Sequence, residues 1–361
     1  MLVALAAPAA GVKAQARPQG LSTALSDREF WRLVNELSEA SGYFRSDNFL
    51  SNEATFQEVI PRLKQSVAAG GVYLGVGPEQ NFTYIVALEP RMAFIIDIRR
   101  QNMLEHLLYK ALIELSRDRA EFLSHLFARP RPAGLDARTS SDTLLQAYDA
   151  VKPDSASFRR SLAAVKALLV KRHGFALTSE DLDKIDYVYT AFFAAGPGLT
   201  YSFAVGGQGY GFRRMPTYTE LMTATDGQGV NRSYLATEDN FRTLKRLERD
   251  NLIIPLVGDF AGPKAVRAVG RYLQEHGATV TAFYTSNVEQ YLFQQGGEWE
   301  QFYGNVATLP IDAASTFIRW VSRRTTPGPS RVTVLCSIAE LLTAFSGGEI
   351  HSYDDVIQLS K

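Results

Sequence analysis

Apolar positions along this chain follow two alternating periods. In "SDREFWRLVNELSEASGYF" the residues Phe30, Trp31, Val34 and Leu37 recur at helical spacing, with Ser26 or Asp27 placed to cap the first turn. "SNEATFQEVIPRLKQSVAAGG" predicts a second helix, capped by Ser51 or Asn52 and ended by Gly70 and Gly71. The short apolar run "VYLGVG" then precedes a helix, "EQNFTYIVALEP", and a strand, "RMAFIIDI". That strand is apolar almost without alternation, as expected of a parallel strand covered on both faces. "RRQNMLEHLLYKALIELSRDRAEFLSHLFARPRP" carries Leu104, Leu107, Leu108, Ala111, Leu112 and Leu115 as one stripe and predicts a single long packed helix.

"ARPRPAG" breaks the pattern and opens an inserted region. Residues 135–195 have helical periodicity throughout, and "GPGLTYSFAVGGQGYGFRRMPTYTELM" has none, being rich in glycine and aromatics. It reads either as a surface loop or as a flap over a pocket. Strand–helix alternation resumes with a helix in "YLATEDNFRTLKRLERDN" and a strand in "LIIPLVGDF". A helix in "AGPKAVRAVGRYLQEHG", with Pro263 in its first turn and Gly277 at its end, then leads to a strand in "TVTAFYTSNV". Proline cannot donate to a ladder, so Pro255 argues against a central place for the strand that holds it. "STFIRWVS" and "RVTVLCSI" supply the last strands and "AELLTAF" a short terminal helix.

Composition adds exclusions. The chain of 361 residues is 46% hydrophobic and 21% charged, with 38 basic against 38 acidic residues, so no overall field draws it to nucleic acid or anionic lipid. The single cysteine, Cys336, excludes an internal disulfide and a cysteine-cluster metal site, and its apolar setting predicts a buried structural thiol. His106 and His125 are expected at helix surfaces or boundaries, because no second His or Cys stands at a ligand spacing. No internal segment is apolar for long enough to be a membrane helix. The leader, residues 1–16, is alanine-rich and ends in Ala14-Gln15-Ala16, small residues of the kind a signal peptidase reads, although it lacks a basic start. It reads either as an export signal, giving a periplasmic or secreted protein, or as a disordered tail on a cytoplasmic one.

Strands alternating with helices predict an open, mainly parallel sheet whose ligands bind at the carboxyl ends of the strands. Three such ends carry chemistry. Gly75 and Gly77 would let backbone approach a ligand. Asp97, about twenty residues on, stands where nucleotide folds place an acid to accept both ribose hydroxyls. The third is Gly258-Asp259, and beyond it Tyr284, Ser286 and Asn287. A tight glycine turn, with Asp97 capping the next helix, is the competing explanation. The dinucleotide fingerprint G-x-G-x-x-G fails because Gln80 holds its third glycine position, which also disfavours a nicotinamide oxidoreductase, and no Gly-Lys-Ser/Thr follows to make a P-loop. A small-molecule ligand such as S-adenosylmethionine remains, whose sites need a glycine turn and a ribose carboxylate. The usual acid-x-Gly-x-Gly-x-Gly pattern is altered here, with Tyr73 for the acid and Glu79 for the last glycine.

Taken together, "FLSNE", "YLGVGPEQNFTYI", "FIIDIRRQNMLEHLLYKALIEL", "YLATEDNF", "VGDFAGPKAVRAVG" and "FYTSNVEQYLF" resemble a family of uncharacterised bacterial proteins with a methyltransferase-like fold. The resemblance covers nearly all of the chain after residue 25. It implies an α/β, Rossmann-like sheet of the class I methyltransferase type, with helices on both faces and a helical insertion, and no assigned activity. The expected organisation is the leader over 1–16, N-terminal helices and the first half of the sheet domain over 17–130, the insertion over 131–230, and the second half over 231–361. Candidate cofactor-binding residues are Gly75, Gly77, Asn81, Asp97 and Arg99, with S-adenosylmethionine as the cofactor. Candidate catalytic residues are Asp259, Tyr284, Asn287 and Glu53. Bland alternatives stand beside two of these: a helix cap for Ser51-Asn52-Glu53, and a solvated helix-start position for Arg99. A catalytic methyltransferase would want a base or polar clamp at the end of its fourth strand, where "GDFAGP" is expected and carries no amino-methylation signature. The function expected is a methyltransferase-like protein acting on an unknown small substrate; the alternative is an exported, non-catalytic binding protein on a degenerate fold of that type.

Overall fold

The computed structural model describes residues 20–202, 215–323 and 330–360. The leader, and residues 203–214 of the glycine- and aromatic-rich stretch read as loop or flap, lie outside the described residues. The first helix, α1 (Asp27–Leu37), starts at Ser26 in a capping box, as its sequence predicts, and buries Phe30, Leu33, Val34 and Leu37. The second expected helix is much shorter: α2 covers only Ile60–Ser66. Pro61 has no N–H to give and sits in its first turn, where none is needed. Upstream, the Ser51 hydroxyl donates to the Gln80 side chain and accepts from the Glu53 N–H at 3.1 Å, so this segment folds as turns rather than as a capped helix.

β1 (Val72–Gly75), α3 (Gln80–Leu88) and β2 (Met92–Asp97) follow as the hydrophobic pattern predicts. The single long helix does not form. It divides into α4 (Arg100–Leu115) and α5 (Arg119–Leu126), because Asp118 caps a fresh helix by accepting from the Glu121 N–H at 2.8 Å. Helices follow: α6 (Ser141–Asp149), α7 (Ser155–Lys166), which runs on into a π-helical turn at Ala167–Arg172, α8 (Ser179–Ala195) and α9 (Tyr218–Thr223). α8 packs along α4, which carries this helical layer on the sheet.

α10 (Glu238–Arg249), β3 (Ile253–Val257), α11 (Ala265–Glu275) and β4 (Val280–Ser286) come next. α12 (Val288–Gln294), α13 (Glu298–Val306), β5 (Thr316–Arg323), β6 (Ser330–Ser337), α14 (Ile338–Ser346) and α15 (Tyr353–Gln358) complete the chain. Among the described residues six strands form one sheet in the order β3-β2-β1-β4-β5-β6. All neighbouring pairs are parallel except β5 with β6, which are antiparallel. The fold is therefore α/β with a mostly parallel sheet. Among the described residues no helix is long and apolar enough to cross a membrane. Cys336 is buried, in keeping with a structural thiol.

The ladder explains how β3 tolerates Pro255. Leu252 O accepts from Ala93 N and Gly258 N donates to Asp97 O, so alternate residues 252, 254, 256 and 258 face β2. Pro255 belongs to the other set. Its missing N–H points away from β2, on the outer side of an edge strand, and costs no ladder bond.

Candidate functional site

Chain order reverses between β1 and β4, which lie side by side although β2 and β3 intervene in sequence. Connections leave in opposite directions there, and the carboxyl ends of the strands splay open. A cavity of about 420 Å³ occupies this place, within the ~300–1,000 Å³ usual for small-molecule sites. Its floor is Val76-Gly77-Pro78 after β1 and Ile96–Arg99 at the end of β2, with Gly258–Phe260 after β3 and Tyr284 and Ser286–Val288 at the end of β4. Tyr43, Phe44 and the segment around Ser51–Glu53 form one wall; Tyr291, Glu298, Trp320 and Arg331 contribute to another.

Of the sequence candidates, Gly77, Asp97, Arg99, Asp259, Tyr284, Asn287 and Glu53 therefore share one cavity. Gly75 and Asn81 lie behind its floor. The fully buried Asn81 side chain ties the glycine loop together: its Nδ2 donates to Val76 O (2.9 Å), Gly77 O (3.1 Å) and Pro78 O (2.7 Å). Its Oδ1 accepts from the Tyr73 hydroxyl at 2.9 Å. Tyr73, where the altered pattern lacks its acid, thus orients the loop through Asn81. A Cβ on Gly75 would stand 1.9 Å from Asn81 Oδ1, so that glycine makes room for the amide rather than for a ligand. Gly77 has φ +76°, a left-handed conformation that favours glycine.

Asp97 and Arg99 form a closed unit. Asp97 Oδ1 accepts from Arg99 N (2.8 Å) and Nε (3.0 Å), and Oδ2 accepts from Nη2 (3.0 Å). Arg99 Nη1 donates to the carbonyl of Asp47. Arg99 is buried, not a solvated helix-start residue. Of about four acceptor directions on the Asp97 carboxylate, three are taken.

The other half of the cavity centres on Glu53, which is 1% exposed. Its Oε1 accepts from the Tyr284 hydroxyl at 2.6 Å and the Ser286 hydroxyl at 2.5 Å, and its Oε2 from Gln80 Nε2 at 3.1 Å. Burial pushes the Glu53 carboxyl above its ordinary range, against the bonds from Ser286, Tyr284 and Gln80, which favour the charged form. Ser286 has φ +52°, strained for a residue with a Cβ, just after a register shift in the pairing of β4 with β5. That bulge turns its hydroxyl toward Glu53. Such strain persists only where the surroundings hold it, and here Glu53 does.

Asp259 Oδ1 accepts from Ala261 N at 2.9 Å, and the neighbouring Glu298 carboxyl is raised by burial and by Asp259. Gly258-Asp259 ends the third strand, not the fourth; the fourth ends at Tyr284–Asn287. The polar clamp at that fourth end is therefore Glu53 with Tyr284 and Ser286. Among the described residues no group of three or more His, Cys, Asp or Glu can hold a metal ion. His106 is buried rather than on a helix surface, and its Nε2 lies 2.9 Å from Gly77 O.

A family model described as a domain of unknown function, DUF7790, matches residues 48–339. The chain belongs to this family. The DUF7790 match takes in every cavity-lining residue except Tyr43 and Phe44, and all six strands lie inside it. No curated protein matches the chain in sequence.

Sequence reasoning names Ser286 beside Tyr284 at a strand end without giving it a role, and it does not count Gln80 as a site residue. Gln80 served there only to reject the dinucleotide fingerprint, yet it joins Ser51 and Glu53 across the cavity wall. The signal that carries them is positional: Ser286 ends β4 and Gln80 opens the helix that follows β1, the two strands of the switch point. Trp320 and Arg331, stacked with the guanidinium 4.7 Å from the ring centroid, gave no local signal, because only strand order brings them near.

Proposed function

We propose that this DUF7790 protein is methyltransferase-like and binds S-adenosylmethionine or a related nucleoside in the switch-point cavity, handling a small acceptor beside it. One observation carries the reading: a buried carboxyl, Glu53, held by Tyr284 and Ser286 at the end of β4, opens on the same cavity as the glycine loop and Asp97. The strand order 3-2-1-4-5-6 is the doubly wound order that places ligands at this point, with an antiparallel last strand as the departure. Cavity volume and the carboxylates of Glu53, Asp259 and Glu298 suit a nucleoside that carries positive charge. When bound, the cofactor would supply an electrophilic methyl group. Gly77 would let it approach the backbone, and Asp97 would offer its one remaining acceptor direction to a ribose hydroxyl. Glu53 would take the proton that an acceptor hydroxyl or amine loses, with Tyr284 and Ser286 fixing the carboxyl for that step.

The Asp97–Arg99 unit favours a second reading, a non-catalytic binding protein on the same fold, because a carboxylate already met by three donors grips a ribose poorly. That reading goes with an export role for the leader, since S-adenosylmethionine is made inside cells. Calorimetric titration of the full chain with S-adenosylmethionine, S-adenosylhomocysteine and adenosine separates the two. Sub-millimolar binding of both sulfur nucleosides, retained in Glu53→Gln, is expected. No heat at millimolar ligand would sink the proposal and favour the second reading.

A further inference from the structure

α4 carries Asn102, Glu105, His106 and Tyr109 at i, i+3, i+4 and i+7, the spacing of a single helix face. A polar face of this kind ordinarily meets water. This one is turned inward, and none of the four is more than 2% exposed. It lies beneath the glycine loop: His106 bonds Gly77 O, and the Phe82 ring sits edge-on to His106 and Tyr109 at 5.4 and 5.3 Å. Glu79, two residues beyond Gly77, is fully buried and lies within electrostatic range of Glu105. Both Glu79 oxygens, both Glu105 oxygens, both Asn102 amide atoms and His106 Nδ1 have no hydrogen-bond partner among the described residues.

Seven unmatched polar atoms on one helix face and the loop against it contradict the near-complete pairing of protein interiors. Bound water, which makes about three bonds to such atoms, reconciles them. We propose that α4 and the glycine loop enclose an internal water site in which Glu79, Glu105, Asn102 and His106 are bridged by water and both carboxyls keep their protons. The donor and acceptor inventory closes on that assignment. His106 donates to Gly77 O through Nε2, which leaves Nδ1 an acceptor, and two carboxylic O–H groups with the Asn102 amide supply donors. Burial pushes Glu79 up to about 8, against the backbone N–H groups of Glu79 and Ser51 nearby, which favour its charged form; it pushes Glu105 well above its ordinary range, with Glu79 adding to it, and takes His106 down to about 4. The charged groups facing Glu105 from other elements are Asp97 and Arg99 at the end of β2 and Asp47 from the segment before it; of these only Arg99 favours ionisation, and Asp97 already pairs it. Tyr109, whose own hydroxyl has no partner among the described residues, and Tyr234 flank the Phe82 ring on the far side. The loop is shared: Gly77 and Pro78 line the cavity on one side, and Gly77 O holds His106 on the other. A proton-dependent network thus supports the floor of the ligand cavity. It stands whether or not the cavity takes a nucleoside.

The test uses the full chain without ligand. Infrared difference spectra at pH 7 between wild type and Glu79→Gln or Glu105→Gln should show a protonated carboxylic C=O band that each variant loses. In denaturant unfolding from pH 5 to 8, each retained proton makes the unfolding constant rise about tenfold per pH unit, and each Gln variant should remove one such factor. Glu105→Leu decides the water: a hydrated site makes it less stable than Glu105→Gln at pH 5, a dry one more stable. Spectra and pH slopes unchanged in both Gln variants, or a more stable Glu105→Leu, would overturn the proposal.

Discussion

Replacing Asn81 by alanine tests the account of the glycine loop most directly. The amide holds one hydroxyl and three carbonyls from a fully buried position, through an acceptor and two N–H groups. Asn81→Ala removes three hydrogen bonds' worth of pairing, at about 1 kcal/mol each for the bonds themselves. Carbonyls left dry add about 1–3 kcal/mol apiece, and water entering the space of the lost side chain offsets part of this. A loss of about 3–6 kcal/mol follows, a large share of the ~5–15 kcal/mol that holds a domain folded. Tyr73→Phe, which removes one neutral bond, should cost about 1 kcal/mol, and in the double variant that cost should vanish, giving a coupling of similar size. Asn81→Asp is the sharper control. The new carboxylate would face three carbonyls with no hydrogen to give, so its folded pKa is raised and the variant loses stability as pH rises from about 4 through that value. Urea unfolding followed by circular dichroism measures all four chains. A loss below 1 kcal/mol for Asn81→Ala, or Asn81→Asp as stable at pH 8 as Asn81→Ala, would refute the stapling argument.

Further predictions concern the buried charges and the strained turn. Arg319 and Glu289 have no exposed side-chain surface and are joined by two bonds, at 2.5 and 2.9 Å; Arg319→Met should cost about 3–5 kcal/mol, and Glu289→Gln added to it should restore part of that, read by the same urea transitions. Burial, opposed by Lys110, lifts Glu248 to about 8, so its proton is kept on folding between the ordinary value of 4.5 and that pH. Its contribution is present at low pH and falls by about 1.4 kcal/mol per unit across that window, and Glu248→Gln should flatten the pH profile by that amount. At Ser286, glycine relieves the left-handed strain that alanine keeps, while both lose the bond to Glu53, so Ser286→Gly should unfold at higher urea than Ser286→Ala by about 1 kcal/mol of stability.

Strand and helix identity was legible wherever period decided it, as in "RMAFIIDI" and "DREFWRLVNEL". It failed where a side chain competed locally. The pattern offers Ser51 or Asn52 as a cap, and only the bonds of Ser51 to Gln80 and Glu53 show why the chain turns there. The long leucine stripe hid the break at Asp118, because apolar spacing continues across it while the backbone starts a new helix. Strand ends pointed to the right place for a cavity, since strand order follows from connection rules. The state of the carboxylates within it did not: that Asp97 gives three acceptor directions to Arg99, and that Glu53 meets Tyr284 across 231 residues, depends on packing that no local window holds. Polar spacing at 102, 105, 106 and 109 was visible but masked by the leucines interleaved with it.

The two ends of the sheet bear on how this chain behaves in company. On the β3 side the outward positions are Ile253, Pro255, which has nothing to donate, and Val257, whose N–H and carbonyl are already bonded to Ser38 Oγ and Glu39 N. On the β6 side Thr333 N donates to Thr55 Oγ1 at 3.1 Å. An incoming strand from a neighbouring molecule therefore finds interrupted rows at both edges, where a continuous one would template stacking into aggregates.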